Sequence, residues 1–347
     1  MASLFKSVEI EQLRRLIGSA GVFALVAHVH PDGDAIGAMQ GLAVFLRALG
    51  RRVYSIIPNA YPDYLSFLDA FKDDKMLIYK YHTKKCEHVL REVDAIVCLD
   101  INSLQRLDVL SNLVSAAPQP KVLIDHHPDP ERKEFDLIFS DPEMSSSSEL
   151  TYRLICELDM ISPFPDQAVE PLFVGMMTDT NNFSNSVTAG TFEAAAQLMR
   201  LGVDREKVQK NVFGSFSEQR MRLMAHLIYN RMVLVKPYRA AYMLLSLDEQ
   251  KEFCFRPGDS EGFVNIPMNI RDVDVSMLFV ETQDYIRVSL RSQNNVDANE
   301  MARRFFNGGG HRQASGGRVY APFEELPVMI LHALEETFKT PPSSLAQ

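Results

Sequence analysis

The sequence predicts a two-part α/β protein: an N-terminal doubly wound, mainly parallel sheet, joined by a helical linker to a smaller α/β domain with a mixed sheet. Short apolar runs alternate with helical patterns through the first 200 residues, a charged helical stretch follows, and a second set of strand-like runs begins near residue 231. A chain of 347 residues that is 46% hydrophobic is long enough to build two cores. Residues 23–27, 53–57, 95–99, 122–124 and 137–139 read as buried strands, and 35–49 as an apolar-striped helix. The charged helical pattern continues to residue 230 and is interrupted by Gly214-Ser215, as suits a hinge. Beyond it, 231–235, 240–246, 273–281 and 285–292 read as strands, with helices over 299–306 and 324–339. The expected division is 1–200, a linker at 201–230, a second domain at 231–340 and a frayed tail at 341–347.

A formal charge of −9 argues against indiscriminate binding of long duplex nucleic acid. Between Arg287 and Arg318, however, six arginines face only Asp297 and Glu300, which marks a candidate anion site. The first 15 residues are amphipathic and of mixed charge, and no run approaches the ~18 apolar residues of a membrane span. Cys86, Cys98, Cys156 and Cys254 form no CxxC pair, so neither a disulfide framework nor a thiolate zinc site is expected. The reading is a cytoplasmic protein that does not engage membranes, with oligomeric state open and a homodimer included.

The chemistry is concentrated where strands end. Ala27-His28-Val29-His30-Pro31-Asp32-Gly33-Asp34 follows the first strand; Asp100 ends another; Asp125-His126-His127 ends a third; and Thr178-Asp179-Thr180 closes an apolar helix. A single strand-end aspartate is usually a helix cap or turn residue, and tandem histidines can cap a turn. Together and in this order they point to a metal centre. Parallel strands bring their C-terminal ends to one edge, where His28, Asp32, Asp34, Asp100, His126 and Asp179 could meet. Carboxylates this close repel one another unless a cation neutralises them, and six ligands suffice for two ions.

These residues resemble the DHH phosphoesterase family through His28-Val29-His30-Pro31-Asp32-Gly33-Asp34, Asp100, Asp125-His126-His127 and Thr178-Asp179-Thr180. Gly308-Gly309-Gly310-His311-Arg312-Gln313-Ala314-Ser315-Gly316-Gly317, preceded by Val288-Ser289-Leu290-Arg291-Ser292, resembles the signature of the accessory DHHA1 domain. Two positions depart from the usual pattern: Ala38 follows Gly37 where serine or threonine is common, and Asn181 stands where glycine is common.

The resemblance implies one ion on His28 and Asp32, a second on Asp34 and His126, Asp100 bridging and Asp179 completing the site. Mixed imidazole and carboxylate ligands suit two Mn2+ ions, other divalent cations being alternatives. Asp125 would orient the His126 ring, and His127 would bond the scissile phosphate or assist the leaving oxygen. Ser147, within Ser145-Ser146-Ser147-Ser148, would offer substrate a hydroxyl at a helix start. Arg291, Gly308, Gly309, Gly310 and His311 would grip substrate, with Arg271 a weaker candidate for the same groove.

The implied function is hydrolysis of short RNA, of 3′-phosphoadenosine 5′-phosphate, or of both, as in the bifunctional oligoribonuclease members of the family. Cleavage of linear or cyclic dinucleotides is the alternative. Polyphosphate or pyrophosphate hydrolysis and a non-catalytic nucleotide sensor rank lower.

Overall fold

A computed structural model of the protein describes residues 4–68 and 76–338. The expected tail, 341–347, and the last residue of the expected 324–339 helix lie outside them. The chain divides between Ser215 and Phe216.

The first unit contains α1 (Ser7–Ser19), β1 (Val22–Ala27), α2 (Gly33–Ala48), β2 (Arg52–Ile57), β3 (Leu77–Ile78), α3 (Tyr79–Glu92), β4 (Ala95–Leu99), α4 (Ser111–Ser115), β5 (Lys121–Asp125), β6 (Leu137–Ser140), α5 (Ser147–Leu158), α6 (Asp166–Asp179), α7 (Ala189–Arg200) and α8 (Arg205–Phe213). The strands form one parallel sheet in the order β3-β2-β1-β4-β5-β6. Alternation along β1 divides its side chains between two cores. Phe23, Leu25 and Ala27 pack with α1, α2 and α5 to α8 on one face, while Ala24 and Val26 pack with α3 and α4 on the other. Strand order reverses at β1, which opens a crevice at the carboxyl ends of β1 and β4.

The second unit contains α9 (Glu218–His226), β7 (Val233–Val235), β8 (Ala240–Leu245), α10 (Leu247–Glu252), β9 (Val275–Glu281), β10 (Ile286–Ser292), α11 (Ala298–Phe305), β11 (Gly309–Gly310), β12 (Ala314–Val319) and α12 (Leu326–Thr337). Its sheet runs β11-β12-β10-β9-β8-β7, with β8 and β9 parallel and the other pairs antiparallel. α11 and α12 cover one face.

The interval expected to be a linker is shared between the two units. Val208 and Val212 of α8 belong to the first core, and Leu223 of α9 to a core of the second. Each helix carries an apolar stripe that its own unit buries, which the high charge of the interval concealed. Among the described residues no helix is long and apolar enough to cross a membrane.

Candidate metal centre

β1 delivers His28 to the crevice, and the next residues turn into α2 through Asp32, whose carboxylate caps the helix by accepting the amides of Asp34 (3.0 Å) and Ala35 (3.1 Å). β4 delivers Asp100, held at φ 58°, a left-handed conformation that aspartate tolerates better than most residues. β5 delivers Asp125, His126 and His127; α2 supplies Asp34 and the last turn of α6 supplies Asp179. Three sets of three result within the first unit: His28 with Asp32 and Asp100, Asp34 with His126 and Asp179, and, beside these two, Asp100 with Asp125 and His127. Within each set one ligand atom per residue lies within 4.8 Å of the others.

Asp100 joins them. Its Oδ2 is 3.2 Å from His28 Nε2 and its Oδ1 is 3.7 Å from His126 Nε2. Both histidines are anchored from behind, His28 donating from Nδ1 to the Val29 carbonyl (2.8 Å) and His126 from Nδ1 to the Met144 carbonyl (3.2 Å). A carbonyl can only accept, so Nδ1 carries the proton and Nε2 faces the carboxylates, the tautomer that a metal-binding imidazole requires. The nitrogen and oxygen donors therefore fit a divalent-cation pair.

Close helix packing holds the second set together. Gly33, Gly37 and Gly41 recur every fourth residue and share one face of α2, which lies against α6. A Cβ on Gly37 would fall 2.4 Å from the Pro171 carbonyl oxygen, and one on Gly175 would fall 1.8 Å from Ser148 Oγ and 2.9 Å from Asp34 Oδ1. α5 meets the same carboxylate with its first turn: the amides of Ser147 and Ser148 donate to the two oxygens of Asp34 at 2.7 and 2.9 Å. Ser147 corrects an expectation. It is fully buried and its hydroxyl donates to Asp100 Oδ1 (2.9 Å), so it positions ligands and has no surface for substrate.

Asp125 requires a second correction. It accepts from Nδ1 of His127 at 2.7 Å, whereas His126 is held by Met144. The two rings lie edge to face with centroids 4.9 Å apart, and both approach Asp100 Oδ1, His126 through Nε2 at 3.7 Å and His127 through Nδ1 at 3.5 Å. Arg106, which sequence reasoning missed, lies in the 3-10 segment Leu104–Leu110 and donates from Nη1 to His127 Nε2 (2.9 Å). Burial and the nearby Arg106 cation lower the His127 pKa, leaving a neutral ring. The only sequence signal for Arg106 was its place in the first turn after the Asp100 loop.

The remaining charges are unbalanced without a cation. Burial and the facing carboxylates of Asp100 and Asp179 raise Asp34 well above the usual carboxylate range. Burial opposes ionisation of Asp100, but His28, His127 and His126 hold it well below that range. Burial alone would lower His126, yet Asp179, Asp34 and Asp100 raise it to about 9. A raised folded-state pKa favours the fold fully below the unfolded value near 6.5 and loses that contribution as pH climbs through about 9. The metal-free protein is therefore expected to melt at lower temperature as pH rises across this window. Mn2+ uptake should release protons and tighten over the same window. Calorimetric titration in two buffers of different ionisation enthalpy checks this, and identical heats in both would refute it.

Asn181, Asn182 and Phe183, directly after Asp179 and Thr180, adopt φ values of 48°, 59° and 60°. The turn is held by Asn182 N to the Met177 carbonyl (2.7 Å) and Phe183 N to Thr180 Oγ1 (2.9 Å), with the Phe183 ring against Phe173. Asparagine enters this conformation more readily than most residues other than glycine, so Asn181 suits the turn. Ala38, the other departure, is a core residue. Asn181→Gly is expected to leave stability nearly unchanged, and Asn181→Val to cost about 1–2 kcal/mol in urea denaturation.

In the second unit, Arg291 lies on β10 and His311 in the β11–β12 turn, whose ends are tied by His311 N to the Ala314 carbonyl (2.8 Å). Gly309 and Gly310 pair with Gly316 and Ser315 as a strand, and a Cβ on Gly308 would fall 1.9 Å from the Gly316 carbonyl oxygen. These glycines thus permit close strand packing. Arg271 is exposed in the turn before β9, without a side-chain partner among the described residues.

The DHH family, N-terminal domain, matches residues 23–176, and the DHHA1 domain matches 240–340. An exopolyphosphatase-related protein from Bacteroides fragilis is 38% identical in sequence and superimposes with a TM-score of 0.90, each chain covering 98% of the other. The chain belongs to the DHH family. Within that family it is 28% identical over 315 residues to the bifunctional oligoribonuclease and PAP phosphatase NrnA of Bacillus subtilis (strain 168), spanning 89% of this chain and 93% of the relative. RecJ from Thermus thermophilus, solved in complex with Mn2+, shares the fold at a TM-score of 0.58 and 15% identity, over 98% of this chain and 56% of that one. As a DHH-family protein with this centre, the chain is a metal-dependent phosphoesterase.

Proposed function

We propose that the protein hydrolyses short oligoribonucleotides, 3′-phosphoadenosine 5′-phosphate, or both, using two Mn2+ ions held by His28, Asp32, Asp34, Asp100, His126 and Asp179. The observation that carries this reading is the pair of histidine–carboxylate sets joined through the two oxygens of Asp100. The printed activities of the B. subtilis relative support the substrate class, and manganese in RecJ supports the metal. Two cations held by these six residues would supply the activation of water at neutral pH and an offset to charge on the phosphoryl group.

The chain's own groups supply orientation. Ser147 fixes one Asp100 oxygen, and the start of α5 fixes Asp34. Asp125 holds His127 in the tautomer whose Nε2 accepts from Arg106. A neutral His127 can bind a phosphate through this arginine and receive a proton, but it has none to spare at Nε2. Arg291, Gly308, Gly309, Gly310 and His311 bind substrate in this reading, in the cytoplasm, where four free cysteines stay reduced.

A product-resolved assay with Mn2+ tests the reading against the bisphosphonucleotide, linear and cyclic dinucleotides, RNAs of about two to five residues, long RNA and polyphosphate. Consumption of the bisphosphonucleotide or the short RNAs, with long RNA and polyphosphate spared, is expected. Hydrolysis of polyphosphate alone, the activity suggested by the name of the B. fragilis relative, would overturn it. His311→Ala is expected to raise KM about tenfold while manganese content, measured by elemental analysis, stays unchanged.

A further inference from the structure

The first motif carries one histidine that the proposed chemistry does not use. His30 stands between the ligands His28 and Asp32 and is exposed, whereas His28 is buried. Its φ of 55° lies in the left-handed region, which residues other than glycine enter at a cost and which recurs where a site needs one side-chain direction. The loop is pinned there. Val29 N donates to the Arg106 carbonyl at 2.8 Å, and His30 N donates to Asn59 Oδ1 at 2.7 Å.

Asn59, two residues beyond the end of β2, also meets the ring, its Nδ2 lying 2.8 Å from His30 Nδ1. A backbone N–H can only donate, so the Asn59 oxygen faces it and the amide nitrogen faces the ring. Nδ1 is therefore an acceptor, and the ring proton sits on Nε2. One asparagine thus fixes the backbone, the ring and the tautomer of an exposed imidazole. The Cα of His30 lies no more than about 7 Å from those of His28 and Asp32, each two residues away. An N–H donor is presented at the rim of the first ligand set. His127 cannot serve in this way, because its Nε2 accepts from Arg106.

We propose that His30 is a substrate-binding residue whose Nε2–H donates to the phosphate next to the one being cleaved, with Asn59 as its positioning residue. Of the acceptors a nucleotide offers, a phosphate oxygen takes the stronger, charge-assisted bond. The inference rests on the phosphoesterase reading and deepens it: a chain so equipped favours nucleotides with two phosphates over esters with one. Because His30 sits at the exposed rim, its bond forms equally in bound substrate and transition state and is felt in KM.

The test uses the full chain with Mn2+ on 3′-phosphoadenosine 5′-phosphate and on bis(4-nitrophenyl) phosphate, which has one phosphoryl group. The bisphosphonucleotide is also measured as an inhibitor of the second reaction. His30→Asn suits the backbone at this position but is too short to reach the phosphate. It is expected to raise KM and Ki for the bisphosphonucleotide about tenfold relative to KM for the one-phosphate ester, with kcat changed less than about twofold. His30→Gln, whose amide nitrogen can stand in for Nε2, should recover most of the loss, and Asn59→Leu should show a smaller rise than His30→Asn. Manganese content by elemental analysis should stay at the wild-type level. Imidazole nitrogen NMR shifts of the metal-free chain, with the His30 signals assigned by their loss in His30→Asn, should show the proton on Nε2. Unchanged KM and Ki in His30→Asn would overturn the proposal, as would an equal rise for the one-phosphate ester, loss of manganese, or a proton on Nδ1. A wild-type chain that is inhibited by the bisphosphonucleotide without hydrolysing it or short RNA would defeat the hydrolytic reading, and the His30 contact would still be read in Ki.

Discussion

Asp100→Asn is expected to lower kcat by about a thousandfold or more on every phosphoester substrate and to remove bound manganese. The substitution keeps the shape of the side chain but removes the charge shared between His28 Nε2 at 3.2 Å and His126 Nε2 at 3.7 Å. Both histidine–carboxylate sets then lose their common anion. Asp125→Asn makes the useful contrast, because Asp125 reaches the centre through His127 (2.7 Å). It should retain the metal and lose about 10- to 100-fold in rate. Metal content by elemental analysis, read beside kcat, separates the two. An Asp100→Asn chain with wild-type manganese and rate would remove Asp100 from the bridging position.

Gly175→Ala is expected to destabilise the protein by about 2–4 kcal/mol and to abolish metal loading with it. The new methyl would meet Ser148 Oγ at 1.8 Å and the Asp34 carboxylate at 2.9 Å, so α5 and α6 cannot both keep their places. Gly41→Ala lies at the α2–α6 contact and meets the Leu172 side chain, with Cγ and Cδ2 both at 2.5 Å, but touches neither backbone nor a ligand. Its cost should be about 1–2 kcal/mol, with metal loading retained. Denaturant titration and Mn2+ binding on both variants check the difference. Equal losses would show that helix contact in general, and not the approach at Asp34, holds the site.

The parallel sheet and its ligand edge were legible because buried strands read as continuous apolar runs and the polar groups follow each run directly. What partners each ligand was less legible. Asp125 was assigned to the His126 ring and pairs instead with His127, because the chain leaves the strand at Asp125 and His126 is held by the Met144 carbonyl. Ser147 was read as a hydroxyl for substrate, since nothing local reveals that α2 brings Asp34 beneath it. The glycines of α2 were hidden within an apolar stripe, although their four-residue spacing already described a close-packed face. β3 has only two residues, too few for a pattern. β11 and β12 are rich in glycine, which lacks the side chains that mark a strand, and only cross-strand pairing shows why glycine is needed there. Arg106 stands alone in an irregular segment and acquires meaning from its contact with His127.

The oxygen of Asp32 that receives the Asp34 and Ala35 amides is also 3.9 Å from His28 Nε2. An ion drawing on that oxygen competes with the opening turn of a helix for the same lone pairs. Solvent exchange of those two amide protons thus becomes a gauge of loading, readable residue by residue without substrate or turnover.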